Sequence, residues 1–276
     1  MVFMEIRTLT VVGGQGKQGQ REPLAGLDLE MGRILSIVGP TGSGKTALIN
    51  DIGLFANQNT PSRRRVLING AKPPEAFLDD PSKNPIALIT QHTSFLSDLA
   101  VHRFLDIHAR IRKHARPETV VEETLDFANQ LTGEPIIVDS AMTELSGGQS
   151  RALLIADAVV IGNAPIILLD EIENAGIDRT RALELLRRHE KIFIFVTHDP
   201  RIALLSDSRL IMRAGAMQAQ IATSPAEQRM AERIRALDEL LAELRERIRA
   251  GERITAAQLQ PHIQRARLAL TEETAS

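Results

Sequence analysis

The 276-residue chain has no cysteine, no tryptophan and no tyrosine. The missing cysteine excludes disulfides, thiolate ligation of metals or iron–sulfur clusters by this chain, and thiol catalysis. Aromatic residues amount to 3%, all of it in eight phenylalanines, which removes most stacking platforms for single-stranded nucleic acid. Neither sign of charge is in excess: the formal net charge is −2, whereas a dedicated nucleic-acid binder shows a strong basic surplus. No nucleic acid is expected as a partner. Only six of the 33 basic residues are lysine, so a lysine in a glycine-rich setting stands out. Long apolar runs are missing too, and nothing approaches the roughly 18 consecutive apolar residues that cross a bilayer. The opening Met1-Val2-Phe3-Met4-Glu5-Ile6-Arg7 lacks the charged lead and long apolar core of a signal peptide. The expected location is the cytoplasm, peripheral on the inner face of a membrane only where partner subunits bring the chain there.

What is present, 43% hydrophobic and 25% charged residues, is ordinary for a globular chain with a substantial core. Glu5 to Val12 alternates polar and apolar residues as a half-buried strand does and ends in Gly13-Gly14. A polar Gly/Gln-rich loop follows to Arg21, and alternation resumes from Leu24 to Glu30. Arg33 to Val38 is a short, nearly continuous apolar run, the pattern of a strand buried on both faces in a parallel sheet. Val66-Leu67-Ile68 with Asn69-Gly70 predicts a strand and tight turn, and the prolines of 71–85 predict an irregular surface insertion. Pro85 to Ile89, Ile166 to Leu169, Ile192 to Val196 and Arg209 to Met212 are further strand candidates, while 97–132 is helical with a break or start at Pro117. Strands alternating with helices predict an α/β fold with a mainly parallel sheet.

The composition shifts near Thr223-Ser224-Pro225. Beyond it, Met230, Ile234, Leu237, Leu241, Leu244 and Ile248 repeat at 4-3-4-3-4, a heptad seam over about three heptads. Gly251 is placed to end that helix, and a second from about Thr255 carries Leu259, Ile263, Ala266 and Leu270. A domain over 1–222 and a helical hairpin over 223–276 are therefore expected. The hairpin either packs back on the domain or serves as an oligomerisation or partner-binding arm.

Between a buried strand and a helix, Gly39-Pro40-Thr41-Gly42-Ser43-Gly44-Lys45-Thr46 fits the phosphate-loop pattern G-x-x-x-x-G-K-[ST]. Its glycines let successive N–H groups converge on a phosphate, and the following helix adds its positive dipole end. Lys45 is placed to meet the β- and γ-phosphates, and the Thr46 hydroxyl to ligate Mg²⁺. The strand Ile166-Ile167-Leu168-Leu169 delivers Asp170 and Glu171 at its carboxyl end. Asp170 can hold Mg²⁺ through water, and Glu171 can orient or deprotonate an attacking water.

Leu145-Ser146-Gly147-Gly148-Gln149 ends 21 residues before Asp170 and exposes a second set of N–H groups at a helix start. At these residues the sequence resembles the ATP-binding-cassette (ABC) ATPases, over about residues 3–222. The resemblance implies a P-loop NTPase core, an antiparallel β subdomain containing the hairpin near 61–70, and a helical signature subdomain opening near Phe95. It implies ATP and Mg²⁺ as ligands, and a second cassette, most simply a homodimer partner, because the signature segment faces the γ-phosphate bound to the other copy. By resemblance Gln91 matches the glutamine that contacts Mg²⁺ and couples to a partner, and His198 matches the histidine that senses the γ-phosphate. The resemblance also shows departures. Ile172 stands where the family has proline, and the loop Glu173 to Asp178 is one residue longer than usual. Asp157 stands where arginine is common, and no aromatic lies between Phe3 and Phe55 to stack on adenine. Gln15, Gln18 or Arg21 is the expected substitute, arginine through its planar guanidinium. His102, His108 and His114 read as surface or packing residues, and Arg63-Arg64-Arg65 as a solvated charge run.

Two roles follow. One is the ATP-binding subunit of a transporter, hydrolysing MgATP to drive separate membrane-domain subunits. The other is a soluble ABC ATPase serving metallocluster assembly, enzyme activation or another cytosolic client complex; Ile172 is similar to the residue at that place in the ATPase of the Suf iron–sulfur assembly system.

Overall fold

A computed structural model describes residues 5–90, 92–170 and 179–271. In chain order its elements are strands β1 (Thr8–Val12), β2 (Gly26–Glu30) and β3 (Ile34–Val38), helix α1 (Lys45–Gly53), strand β4 (Arg65–Ile68), the short helix α2 (Ala76–Asp79) and strand β5 (Ile86–Ile89). Helices α3 (Val101–Ile111), α4 (Pro117–Leu131) and α5 (Gly147–Val159) follow, then β6 (Ile166–Asp170), α6 (Arg179–Leu186), β7 (Ile192–Val196), α7 (Pro200–Leu205), β8 (Ser208–Arg213) and β9 (Ala216–Ala222). The chain closes with α8 (Pro225–Arg249) and α9 (Ala256–Thr271). It divides into two compact units, 1–222 and 223–276.

In the first unit a six-stranded sheet runs β5-β6-β7-β3-β8-β9, parallel except for β9, and a separate antiparallel sheet runs β2-β1-β4. Strand alternation sorts the core into two layers. Ile167, Leu169, Phe193 and Phe195 pack with apolar residues of α3 to α7, among them Leu105, Phe127 and Leu153. The alternate residues Ile166, Leu168, Ile192, Ile194 and Val196 pack with Leu48, Ile49 and Ile52 of α1 and with Leu9, Leu27 and Val66 of the antiparallel sheet. Each such side chain taken fully out of water contributes roughly 1.5–3 kcal/mol, so both faces of the sheet are committed to helices or to the second sheet. The result is the α/β core with mainly parallel sheet and antiparallel subdomain expected from the sequence.

Two local readings change, a third is borne out, and one strand has no sequence signal. The first strand begins at Thr8 rather than Glu5, since the Arg7 N–H and the Thr8 N–H both donate to Asn69 Oδ1 (2.7 and 3.1 Å) ahead of the ladder. The 71–85 insertion contains α2 and a 3-10 turn at Pro81–Lys83. The helical stretch is two helices, with Pro117 in the first turn of α4, where its missing N–H costs nothing. Strand β9, Ala-Met-Gln-Ala-Gln-Ile-Ala, carries little β-propensity and is made by antiparallel pairing to β8.

The second unit is a helical hairpin. Ser224 caps α8, accepting from the Glu227 N–H at 3.2 Å while Glu227 reaches back to the Ser224 N–H at 2.9 Å. Gly251, at φ +77°, supplies the left-handed residue past its end. The helices are joined by Glu243, which accepts from Arg247 (3.0 Å) and meets His262 Nδ1 (2.8 Å). Of the heptad seam, Met230, Leu237, Leu241 and Ile248 remain exposed, Leu241 at 49%.

Candidate functional site

Strand register brings the motif residues to one edge. Ile37 of β3 pairs with Val196 of β7, and Val196 pairs with Asp170 of β6. Because these strands are parallel, the loop after β3, the acid ending β6 and the Thr197-His198-Asp199 turn after β7 all emerge at the carboxyl ends of neighbouring strands, where open α/β sheets bind their ligands.

The loop after β3 is held open by backbone that only glycine tolerates. Gly39, Gly42 and Gly44 have φ of 155°, 76° and 98°. A Cβ on Gly39 would lie 2.4 Å from the Met212 carbonyl oxygen, and one on Gly44 would lie 2.8 Å from Gly215 Cα. A Cβ on Gly42 would meet nothing within 4 Å, so that side of the loop is open. Pro40, Thr41 and Thr46 are exposed, while Ser43 and Lys45 are buried. Lys45 Nζ donates to the carbonyls of Gly39 (2.9 Å) and Pro40 (3.2 Å). Helix α1 starts at Lys45 with no side chain capping it, which leaves the N–H groups of its first turn for an anion. Ser43 Oγ is buried and has no hydrogen-bond partner among the described residues. An uncapped helix start, an open glycine loop and an internal ammonium fit a phosphate chain. The exposed Thr46 hydroxyl and the Asp170 carboxylate are oxygen donors suited to Mg²⁺.

Asp170 ends β6 almost buried, and His198 is exposed beyond β7. The turn around His198 is built by its neighbours: the Thr197 N–H donates to the Ile37 carbonyl (3.3 Å) and the Asp199 N–H to Thr197 Oγ1 (2.9 Å). Asp199 then caps α7 by accepting from the Arg201 N–H at 2.7 Å. Gln91 and Glu171, with the loop through Asp178, lie outside the described residues.

The signature residues occupy the start of α5. Ser146 Oγ accepts from the Gln149 N–H (3.2 Å) and Gln149 Oε1 accepts from the Ser146 N–H (3.0 Å), a capping box. Gln149 Nε2 is anchored on the Pro135 carbonyl (3.1 Å). Ser146 and Gly147 are exposed, Gly148 half-buried, and a Cβ on Gly147 would meet nothing within 4 Å. Helix α1 packs on one face of the sheet and α5 on the other. The two helix starts are thus on different layers, and among the described residues no hydrogen bond joins 39–46 to 145–149.

Several residues take places that the sequence did not suggest. Arg64, read as part of a solvated run, is fully buried. Its guanidinium donates to Glu22 Oε1 (2.7 Å), Asp51 Oδ2 (2.8 Å) and the Gly215 carbonyl (2.8 Å). Gln15 turns away to the Pro61 carbonyl (3.1 Å), and it is Lys17 whose ammonium reaches the phosphate loop, at Gly42 O (2.7 Å). His108 meets Asp157 on the signature helix (2.7 Å), while His102 and His114 meet the carbonyls of Val138 and Ile161 (3.0 and 2.7 Å).

The fold is that of a P-loop ATPase core. A family model described as "ABC transporter" matches residues 25–174. An uncharacterized ABC transporter ATP-binding protein of Methanocaldococcus jannaschii is 48% identical over 252 residues, covering 91% of this chain and 96% of that protein. The spermidine/putrescine import ATP-binding protein PotA of Bacteroides fragilis is 30% identical over 81% of this chain, which spans 48% of that relative's length. Among solved structures, CbiO1 of Clostridium perfringens, part of the ABC transporter complex CbiONQ, superposes with a TM-score of 0.58 at 21% identity, covering 89% of this chain and 97% of that one. An ATP-binding cassette in a dimeric post-hydrolysis state with ADP and phosphate gives 0.58 at 24% identity, over 78% and 99%. The chain belongs to the ABC transporter family and is an ATPase of the ABC type.

Proposed function

We propose that two copies of this chain close over MgATP and hydrolyse it to drive separate membrane-domain subunits of a transporter. The carrying observation is the pair of helix starts on opposite faces of one sheet, α1 with no side chain capping it and α5 with exposed glycine next to its capping box. A phosphate chain on the first of these leaves its γ end for the second nest of another copy. In this reading residues 1–222 are the cassette and 223–276 a helical appendage to it.

Gly39 to Thr46 wrap the β- and γ-phosphates, and Lys45 exchanges its loop carbonyls for phosphate oxygens. In the second copy Ser146 and Gln149, tied to each other in the capping box, frame the N–H groups of Gly147 and Gly148 that meet the γ-phosphate. Thr46, Asp170 and Gln91 would hold Mg²⁺, which would supply neutralising charge to the phosphates. Glu171 accepts the proton of the attacking water as the bond from the γ-phosphorus to the leaving ADP oxygen breaks, and His198 donates to the γ-phosphate. No described helix is long and apolar enough to cross a membrane; in this reading separate chains make the passage, with this one at the cytoplasmic face. The names of the relatives, transporter ATP-binding proteins, support that role.

Glu171→Gln tests the reading. Turnover falls by roughly 10²–10⁴-fold, while ATP, no longer hydrolysed, traps a dimer visible by sedimentation. Undiminished turnover, or a monomer that holds ATP, would overturn it.

A further inference from the structure

Lys17 stands in a strap against the phosphate loop. The base of the strap is tied by the Gly14 N–H to Glu22 Oε2 (2.7 Å) and by the Gln15 N–H to the Ser62 carbonyl (2.7 Å). Its tip turns through the Gly16 N–H to the Gln20 carbonyl (2.8 Å), and the Lys17 N–H donates to the Ala214 carbonyl (3.0 Å). At Gly215 (φ +82°) there is no room for a side chain, because a Cβ there would lie 2.7 Å from Lys17 Cγ and 2.8 Å from Lys17 N. From that seat the Lys17 ammonium donates to the Gly42 carbonyl at 2.7 Å, and the Gly215 N–H donates to the Ser43 carbonyl at 2.8 Å. Two successive carbonyls of the phosphate loop are therefore held from the same pair of segments.

A trans peptide points its C=O and the following N–H in opposite directions, and the peptides here are trans. An ammonium drawing on the Gly42 carbonyl turns the Ser43 N–H the other way, where it closes a turn of the loop on the Pro40 carbonyl at 3.1 Å, and Gly215, drawing on the Ser43 carbonyl, turns the Gly44 N–H likewise. An anion nest works when such N–H groups converge on one side. We propose that Lys17 is a positioning residue of the nucleotide site: by holding the Gly42–Ser43 peptide it fixes the loop turn from which the following N–H groups face the phosphates, and it adds positive charge beside them, without reading the base. This rests on taking 39–46 as the phosphate site. Lys45 has the different task of moving from loop carbonyls to the phosphates themselves.

Lys17→Met keeps the apolar stem and removes the donor, and Lys17→Arg keeps donor and charge. Titration calorimetry of the full chain with ATP, GTP and inorganic tripolyphosphate, beside ATPase kinetics, separates the possibilities. The expected result is a loss of roughly three- to tenfold in affinity for all three ligands in Lys17→Met, the scale of one charge-assisted hydrogen bond at an exposed site. The loss appears in KM rather than kcat, and Lys17→Arg restores most of it. Unchanged binding in Lys17→Met overturns the inference, as does a loss confined to ATP, which would make Lys17 a base contact. Lys45→Ala is the control for the underlying reading: if it binds all three ligands undiminished, the phosphate site itself is misassigned, whatever Lys17 does.

Discussion

Arg64→Met removes the centre of a buried charge cluster that joins Glu22, Asp51 and the Gly215 carbonyl. Arg64 Nε lies 3.2 and 3.3 Å from the two Glu22 oxygens, in addition to the three shorter bonds to Glu22, Asp51 and Gly215. Glu22 also accepts the N–H groups of Gly14 (2.7 Å) and Met217 (2.6 Å), and Asp51 accepts the Ser62 hydroxyl (2.7 Å). The Arg64 and Glu22 side chains are 0% exposed and that of Asp51 is 6% exposed. Methionine in place of Arg64 leaves both carboxylates with no cation, and breaking a buried pair in this way costs about 3–5 kcal/mol. For a unit of this size each kcal/mol is worth about 2–4 °C, so the melting temperature should fall by about 6–20 °C. Urea and thermal unfolding measure it. The triple variant Arg64→Met/Glu22→Gln/Asp51→Asn removes the stranded charges and should recover at least about 1 kcal/mol of the loss. A deficit below about 1 kcal/mol, or no recovery in the triple variant, would refute the claim that desolvated charge sets the magnitude.

Three further perturbations address stability and the loop. Lys191 is buried with its ammonium on Asn163 Oδ1 (2.6 Å), and burial pushes its pKa down from 10.5 to about 8. Between those values the unfolded chain holds a proton the folded chain has released, so stability should rise with pH across that window by at most about 3 kcal/mol. Denaturant melts on either side of the window should show the rise in the wild type and a flat line in Lys191→Met. On the acid side, burial first and the Lys191 charge second hold the His189 pKa below 6.5, so stability should fall as pH drops through that lowered value, and His189→Phe should blunt the fall. Gly44→Ala places a Cβ 2.8 Å from Gly215 Cα at φ +98°. It should cost about 1–3 kcal/mol and abolish measurable ATP binding by calorimetry; retained affinity would show that the loop tolerates other shapes.

Much of the site could be read without coordinates because its chemistry is local. The phosphate loop needs glycines at set spacing between a strand and a helix, and Ser146 to Gln149 form a capping box within four consecutive residues. The scarcity of lysine drew attention to Lys45, yet the same signal, a lysine among glycines, is present in Gly16-Lys17-Gln18-Gly19. Lys17 went unrecognised because its partner, Gly42, is 25 residues away and no periodicity links them. Arg64 misled for a related reason. A run of three arginines in a turn region looks solvated, and only Glu22 and Asp51, distant in sequence, make burial of the middle one affordable.

The sequence by itself determined most of the segments that become strands, loops and helix starts, β9 and α2 excepted, since apolar alternation, glycine conformations and capping side chains act over a few residues. The gathering of Asp170, His198 and the phosphate loop at one sheet edge was decided only by tertiary structure. It depends on β7 lying between β6 and β3, an order set by long crossover connections that carry no local pattern. The placing of the starts of α1 and α5 on opposite faces depends on the same order. So does the meeting of strap, turn and phosphate loop at Gly215, where a contact between backbones leaves no trace except the absence of a side chain.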